Sequence, residues 1–365
     1  MRIVSADVMT LTIPFTDGGK GVGLTPDTWN RFETTYLRLT TDSGLVGWGE
    51  AFSYACRDAV AAALKQMVVP LLLDQELTDP EAMTQAIQRK LHLFGRYGIT
   101  IFAISAADTA LWDLKAKSEG VSVSALFGEG LRREVTAYAS LVRYGDAETV
   151  ERFAAKARRE GYDAVKLHEI EEAPIVAGRR GAGPDAHLTV DVNCAWDLQH
   201  ACTMSGLLQN LGVAWLEEPL FPPEDIEAMA ALKANCAVPL AAGENACTRY
   251  EFARMIRSGA ITYPQPSVTK VGGISEARRV LALARDAALT CMFHSPYFGP
   301  GYFATLQLLA NAPGEPLFEY LYVEPDAFPG RRTPLPRNGV VMIPETVGLG
   351  FEPDQDVFAR YASNA

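Results

Sequence analysis

The sequence lacks an excess of positive charge. Its 33 lysines and arginines are outnumbered by 44 aspartates and glutamates, and the formal net charge is −11. A nucleic-acid-binding protein needs a basic face for the phosphates, so we do not expect nucleic acid as a partner. A small anionic substrate is compatible with this charge, because a bound cation can reverse the local electrostatic field.

Closely spaced cysteines, a signal peptide and a long apolar run are also missing. None of the six cysteines forms a CxxC pair, which disfavours zinc-knuckle and thioredoxin-like sites and is typical of reduced cytoplasmic cysteines. The opening MRIVSADVMTLTIPF has no basic region followed by an apolar stretch and a cleavage site. No run of about 18 apolar residues occurs. We therefore expect a cytoplasmic protein with no membrane partner.

The first part of the chain, residues 1–127, is predicted to form an α+β domain. Residues 1–50 are rich in β-branched and aromatic residues broken by turn signals, as in strands. Residues 57–125 carry apolar side chains at helical spacing. Residues 16–30 are rich in Gly and polar residues, which predicts a loop, and such loops often cover binding sites.

The middle of the chain, residues 128–322, is predicted to form a (β/α) barrel. Eight short apolar segments alternate there with helical segments, from VTAYASL to PLFEY. This alternation indicates a parallel sheet covered by helices, and eight units in one run favour a closed barrel over an open sheet. The tail, residues 323–365, has few helix signals, and we expect it to pack back on the first domain.

Polar or ionisable residues stand at the ends of the predicted strands from the second to the eighth. Successive positions are 25, 26, 27, 23, 27 and 25 residues apart, about one βα unit each. A barrel brings the carboxyl ends of all its strands to one face, where barrel enzymes place their active sites. The positions are Lys166 with His168, then Asp191, Glu217, Glu244, Ser267, His294 and Glu319.

Three of these residues, Asp191, Glu217 and Glu244, are carboxylates on consecutive strands. Three carboxylates in one cavity repel each other and raise each other's pKa unless a cation lies among them. Ligand sets made only of oxygen select a hard cation. The spacing therefore predicts a site for Mg²⁺, with Mn²⁺ as the alternative.

Candidate bases flank these carboxylates. Lys166 and His168 are two residues apart on one strand, so both side chains point the same way. His294 comes from the opposite side of the predicted ring. A base on each side of a metal-bound carboxylate is an arrangement for removing an α-proton and returning a proton elsewhere, while the metal stabilises the enediolate.

Several motifs resemble the enolase superfamily, and within it the mandelate racemase-like subgroup, which includes mandelate racemase and muconate lactonizing enzyme. TTDSGLVGWGEA and AADTALWDLKAK resemble its capping domain, and VKLH, VDVN, WLEEP, GEN, KVGG and HSPYFGPG resemble its barrel strands in order. The resemblance covers nearly the whole chain. It implies a modified (β/α)8-type, TIM-like barrel of the (β/α)7β form, an α+β capping domain and a homo-oligomer.

The resemblance also implies roles for individual residues. Asp191, Glu217 and Glu244 would be the metal ligands, and Glu in GEN fits the racemase-like subgroup better than the cycloisomerase-like one. Lys166 and His168 occupy the family's Lys-x-Lys position, where the second residue is usually the base. The other catalytic residues would be His294, the barrel histidine, and Glu319, the acid on the last strand. Substrate contacts are predicted at Asn193, Ser267, Lys270 and Tyr297.

One motif departs from the family pattern. The family usually has Gln-Pro-Asp before KVGG, with that Asp paired to the barrel histidine, but this chain has Ser267 in its place. A serine carries no charge that favours imidazolium, so we expect His294 to be less basic than in a His–Asp pair. A symmetric two-base racemase is therefore disfavoured.

The first hypothesis is a lyase that dehydrates an acid sugar, an aldonate or an aldarate. His168, assisted by Lys166, would take the α-proton, and His294 would help the β-hydroxyl to leave. The alternatives are a racemase or epimerase of a 2-hydroxy or amino acid derivative, a cycloisomerase, and a barrel that binds a carboxylate without turnover. We expect specificity to come from the 16–30 loop and the segment near Tyr54.

Overall fold

A computed structural model describes residues 1–24, 28–128 and 132–363. The strands are β1 (Ile3–Thr16), β2 (Arg31–Thr41), β3 (Val46–Ala51), β4 (Glu134–Ser140), β5 (Ala164–Leu167), β6 (His187–Asp191), β7 (Val213–Glu217), β8 (Leu240–Ala242), β9 (Tyr263–Pro264), β10 (Phe318–Leu321), β11 (Glu324–Pro325) and β12 (Val340–Met342). The α-helices are α1 (Arg57–Ala63), α2 (Pro80–Lys90), α3 (Gly98–Glu119), α4 (Ala147–Arg159), α5 (Glu172–Ala182), α6 (Leu198–Asn210), α7 (Ile226–Asn235), α8 (Thr248–Arg257), α9 (Val268–Val271), α10 (Gly273–Asp286), α11 (Pro300–Leu309) and α12 (Gln355–Tyr361). Short 3₁₀ or π turns occur at Leu64–Val68, Val69–Leu71, His92–Phe94 and Ser124–Phe127.

The capping domain is an antiparallel sheet covered by the long helix α3. The sheet has the order β11-β1-β2-β3, and α3 buries most of its length between this sheet and the barrel. Two glycines of β3 allow the close approach. A Cβ at Gly49 would lie 1.9 Å from the carbonyl oxygen of Ala106, and one at Gly47 would lie 2.4 Å from that of Ala110. A side chain at either position would push α3 off the sheet.

The barrel sheet has the parallel order β10-β4-β5-β6-β7-β8-β9, and the fold predicted from the sequence is confirmed. Three of the helices between the barrel strands begin where an aspartate side chain accepts a hydrogen bond from a free backbone N–H group, which is a strong helix-start signal. These N-caps include Asp146 before α4, Asp197 before α6 and Asp225 before α7.

The seventh barrel segment, residues 289–295, does not form the regular strand predicted for it. The segment still bridges the two sheet edges: the backbone N–H of Met292 donates to Pro264 O (3.0 Å), and the side-chain hydroxyl of Ser295 donates to Glu319 O (2.8 Å). The neighbouring β9 is two residues long, and Pro264 and Pro266 have no N–H to donate, so a regular ladder cannot form there.

The segment after residue 322 contacts both parts of the molecule. β11 pairs with β1, where Phe15 lies opposite Pro325, and β12 pairs antiparallel with β4. Near the C-terminus, Ser363 N donates to Thr10 O (3.0 Å). The domain boundaries at 127/128 and 322/323 stay predictions. No described helix is both long and apolar enough to cross a membrane.

Candidate active site

The ammonium group of Lys166 lies among carboxylates at the carboxyl ends of the barrel strands. Its Nζ is 2.9 Å from Asp191 Oδ2 and 3.1 Å from Glu319 Oε1, and it also donates to Glu217 Oε1. Burial alone would lower the pKa of Lys166, but the three carboxylates raise it well above its ordinary value. We call these four fully buried residues, Lys166, Asp191, Glu217 and Glu319, the barrel floor.

Three carboxylates in and beside the barrel floor can hold one metal ion. Asp191, Glu217 and Glu244 each offer an oxygen, and these three oxygens lie within 4.8 Å of one another. Burial raises the pKa of Glu217 well above its ordinary value, so this group needs cations nearby to carry its charge. An all-oxygen set of this kind fits Mg²⁺ or Mn²⁺.

The protein fixes the orientation of two of these carboxylates through their second oxygens. The backbone N–H of Asn193 donates to Asp191 Oδ1 (2.7 Å), and the indole N–H of Trp215 donates to Glu217 Oε2 (3.0 Å). Asn193 has a positive φ of 46°, a conformation that asparagine tolerates better than most residues. The remaining oxygens, Asp191 Oδ2 and Glu217 Oε1, point towards Lys166.

The ring of His168 has its two nitrogens in different surroundings. Nδ1 contacts the backbone carbonyl of Leu141, and Nε2 lies 3.3 Å from Asp191 Oδ2. A carbonyl oxygen can only accept, so Nδ1 carries a proton and Nε2 is the nitrogen that can gain or lose one. His168 also lines the cavity above the barrel floor.

His294 contacts a carboxylate other than the one that the family pattern supplies. Its Nε2 lies 2.9 Å from Glu244 Oε2, and its Nδ1 has no hydrogen-bond partner in the part of the chain that the structure describes. Ser267 is fully buried and does not line the cavity. Its hydroxyl lies 3.1 Å from that of Tyr297, which donates to the backbone carbonyl of His294 (2.9 Å). Ser267 thus supports the His294 backbone through Tyr297.

Glu319 is held as a charged acceptor on the barrel floor. The hydroxyl of Ser140 donates to its Oε1 (2.9 Å), and the backbone N–H of Ser295 donates to its Oε2 (2.7 Å). Burial by itself would raise the pKa of Glu319, but Lys166, His294 and the Ser295 N–H lower it below its ordinary value.

Arg143 is a site residue that the sequence reasoning missed. Its guanidinium donates to the backbone carbonyls of His168 (2.6 Å) and Val192 (3.4 Å) and to Asn193 Oδ1 (3.0 Å). It therefore ties together the ends of three neighbouring strands beside the cavity. Arg143 stands 23 residues before Lys166, so extending the strand-end spacing back to the first strand would have found it.

A cavity of about 180 Å³ lies between the barrel and the capping domain. Its barrel side includes seven of the predicted residues: His168, Asn193, Glu244, Lys270, His294, Tyr297 and Glu319. Its capping side carries the aromatic rings of Trp29, Phe52 and Tyr54, which we call the cap wall. From the predicted 16–30 loop, residues 22–24 line the cavity, and residues 25–27 lie outside the described residues.

Two ionisable residues accompany the cap wall. Lys270 reaches it from the barrel, and its Nζ lies 4.7 Å from the centre of the Phe52 ring. Glu50, on β3, is buried, and this burial raises the pKa of its carboxyl group to about 8, although the Gly301 N–H that donates to it (2.9 Å) acts in the opposite direction.

Comparison with known proteins gives two matching family models. The model described as "Enolase C-terminal domain-like" matches residues 149–357. The model described as "Mandelate racemase / muconate lactonizing enzyme, N-terminal domain" matches residues 11–128.

Individual relatives resemble the chain over most of its length. The D-galactarolactone cycloisomerase of Agrobacterium fabrum is 31% identical over 344 residues, which cover 89% of this chain and 90% of the relative. The arabinonate dehydratase of Saccharolobus solfataricus is 28% identical over 340 residues, or 90% of each chain. The crystal structure of a racemase from Streptomyces coelicolor with bound magnesium superposes with a TM-score of 0.87 at 25% identity and covers 99% of this chain and 100% of the other.

Proposed function

The chain belongs to the mandelate racemase/muconate lactonizing enzyme family of the enolase superfamily, as the sequence motifs predicted, and we propose on this basis that it is a Mg²⁺-dependent acid-sugar lyase. It would remove the α-proton of a sugar carboxylate and expel the oxygen on the β-carbon. The observation that carries the proposal is the set of three carboxylate oxygens within 4.8 Å, bordered by His168 on one side and His294 on the other.

The first task of such a site is to hold the substrate carboxylate. Asp191, Glu217 and Glu244 would bind Mg²⁺, which supplies positive charge that stabilises the negative charge developing on the substrate. Lys166 adds a second, fixed positive charge beside the proposed Mg²⁺ site, because three carboxylates hold its ammonium group in position. A carboxylate bound there would turn its α-carbon towards the cavity that His168 and His294 line.

The second task is proton removal. Nε2 of His168 would accept the α-proton, since Nδ1 is committed to the carbonyl of Leu141. Lys166 is fully buried and does not line the cavity, and the carboxylate of Glu319, which does line it, already accepts hydrogen bonds from Ser140 and the Ser295 N–H. Arg143 keeps the His168 backbone in place through its hydrogen bond to the His168 carbonyl.

The third task is to release the β-oxygen. His294 would donate a proton to this oxygen as the carbon–oxygen bond breaks, and water would leave. The electron pair from the broken α-C–H bond becomes the new carbon–carbon double bond, and the resulting enol tautomerises to a 2-keto-3-deoxy acid. One base and one acid suffice for this sequence, so it does not require the charged histidine partner that Ser267 fails to supply.

Cycloisomerisation is the second candidate, because the relative at 31% identity is a cycloisomerase. The same proton removal would then expel a ring oxygen that stays attached to the substrate. The two reactions share His168 and differ only in the leaving group. The aromatic cap wall, which can pack against the carbon face of a ring, suits a cyclic substrate.

The decisive experiment incubates the enzyme and Mg²⁺ with a panel of aldonic acids, aldaric acids and their lactones. Formation of 2-keto-3-deoxy acids, measured as semicarbazones, is the expected result, together with α-proton exchange in D₂O. Linear substrates that lose water indicate the lyase, and lactones that isomerise without losing water indicate the cycloisomerase. Inversion at the α-carbon with no keto acid would overturn the proposal in favour of a racemase.

We also propose that the enzyme is a cytoplasmic homo-oligomer. The reduced cysteines that the sequence predicts and the family membership support this proposal. Light scattering coupled to size-exclusion chromatography would test the assembly, and a monomeric mass would contradict it.

A further inference from the structure

Lys270 is a nearly buried cation whose ammonium group has no direct acidic partner among the described residues. Only 7% of the residue is exposed, and it lines the same cavity as His168 and His294. Among the residues that the structure describes, its ammonium group contacts the Phe52 ring and forms neither an ion pair nor a hydrogen bond. The carboxylates of Glu218 and Glu244 attract it only from beyond ion-pair distance. Burial deprives an ammonium group of hydration, and an aromatic face restores only part of that loss.

The position of this ammonium group is well defined. The backbone N–H of Phe52 donates to the carbonyl of Thr269, the residue before Lys270, at 3.2 Å. This hydrogen bond fixes the ring next to the lysine and joins the capping domain to the barrel at that point. A fixed cation in a cavity wall is ready to bind an anion without reorganisation.

Lys270 differs in this respect from the other buried lysine, Lys166. Lys166 already has three carboxylates around its ammonium group, and they lie at the place where the substrate's reacting carboxylate would bind. Lys270 faces the cap wall instead. Lys166 is therefore directly ion-paired at the barrel end, whereas Lys270 faces the cap wall with no acidic group in direct contact.

We propose that Lys270 binds a second, distal carboxylate of the substrate, and that the enzyme acts on diacids, namely aldarates or their lactones. The inference rests on the proposed function. A carboxylate compensates the buried ammonium charge, and a charge-assisted hydrogen bond is about twice as strong as one to a neutral hydroxyl. An aldonate of equal length would end in a hydroxyl, which brings no negative charge to the ammonium group, so the site discriminates against it.

The test compares matched pairs that differ only at the distal carbon: galactarate with galactonate, glucarate with gluconate, and mannarate with mannonate. With Mg²⁺ present, we expect kcat/KM to be roughly 30-fold or more higher for the diacid of the productive pair, the size of effect expected for a buried charge pair. The diacid should also raise Tm more than its monoacid does, which requires no turnover. Equal or better use of the monoacid would overturn the inference.

The Lys270→Met variant sharpens this test, with Lys65→Met on an exposed part of the capping domain as the control. Lys270→Met should lose the preference for the diacid, because KM for the diacid should rise much more than KM for the monoacid. Its Tm should be equal or higher, because a buried charge has been removed. Equal losses on both substrates, or a lower Tm with unchanged preference, would contradict the inference. If the wild type shows α-proton exchange with none of the acids, the proposed function itself fails, which is a distinct outcome.

Discussion

The barrel floor and the cap wall face each other across one cavity, and they differ in how charge is arranged. On the barrel floor one ammonium group meets three carboxylates, so negative charge is left for a metal ion to balance, and hydrogen bonds hold the outer oxygens of Asp191 and Glu217. The cap wall consists of aromatic rings with one cation against them. The barrel floor suits the chemistry at the reacting carboxylate end of the substrate. The cap wall suits recognition of the distal end.

The largest effect on activity is expected from substituting Glu217 on the barrel floor. Glu217→Gln removes a ligand charge and a partner of Lys166 and keeps the size of the side chain. Turnover should fall to the uncatalysed level, and Mg²⁺ affinity should fall by more than the roughly 100-fold typical of residues that only support a ligand. Calorimetry measures the affinity, with Glu151→Gln at a half-exposed ion pair on the barrel surface as control. Unchanged Mg²⁺ affinity would remove Glu217 from the ligand set.

The next effect concerns the base. His168→Asn removes the nitrogen that accepts the α-proton, so α-proton exchange in D₂O should fall by about 10²–10⁴-fold. In His294→Asn the exchange should persist while keto-acid formation slows, because His294 acts on the leaving oxygen. NMR of the α-proton measures both variants. Wild-type exchange in His168→Asn would assign the base to another group.

A smaller effect, on stability, comes from Glu50 at the edge of the cap wall. Burial raises its pKa to about 8 in the folded protein, above the unfolded value of about 4.3, so its stabilising contribution is complete at low pH and is lost as the pH rises towards 8. Between about pH 5.5 and 8.5, the stability of Glu50→Gln relative to wild type should improve by about 3 kcal/mol. Urea unfolding at both pH values measures this, and a pH-independent difference would contradict it.

The smallest effect is expected at Phe52. Phe52→Leu removes the ring that Lys270 contacts but retains an apolar side chain. We expect KM to rise by about 5-fold, the scale of one cation–π contact, with kcat nearly unchanged. Steady-state kinetics on the best substrate measures both constants. A fall in kcat with constant KM would mean that the cap wall contributes to the chemical step. It would then not differ in function from the barrel floor.

The barrel floor was largely predictable from the sequence, and the cap wall was not. The strands recur at a nearly constant interval, so Asp191, Glu217, Glu244 and Glu319 could be placed together without coordinates. No such interval relates Phe52 to Lys270, because their contact depends on how two differently built domains pack.

The surroundings of His294 show the same limit. The sequence shows that Ser267 replaces an aspartate, but it does not show that Glu244 faces the imidazole or that Ser267 contacts Tyr297. These contacts depend on side-chain directions at the ends of three irregular segments. The expectation that His294 is less basic than in a His–Asp pair therefore stays a prediction.

The segment after residue 322 limits how the molecule can be engineered. Phe358 of α12 packs against the rings of Tyr36 (5.4 Å) and Trp48 (5.5 Å) in the cap sheet, and Phe15 of β1 lies opposite Pro325. The cap wall therefore cannot be exchanged between relatives as an N-terminal cassette. A chimera that changes substrate preference must take both ends of the chain from one parent and only the barrel from the other.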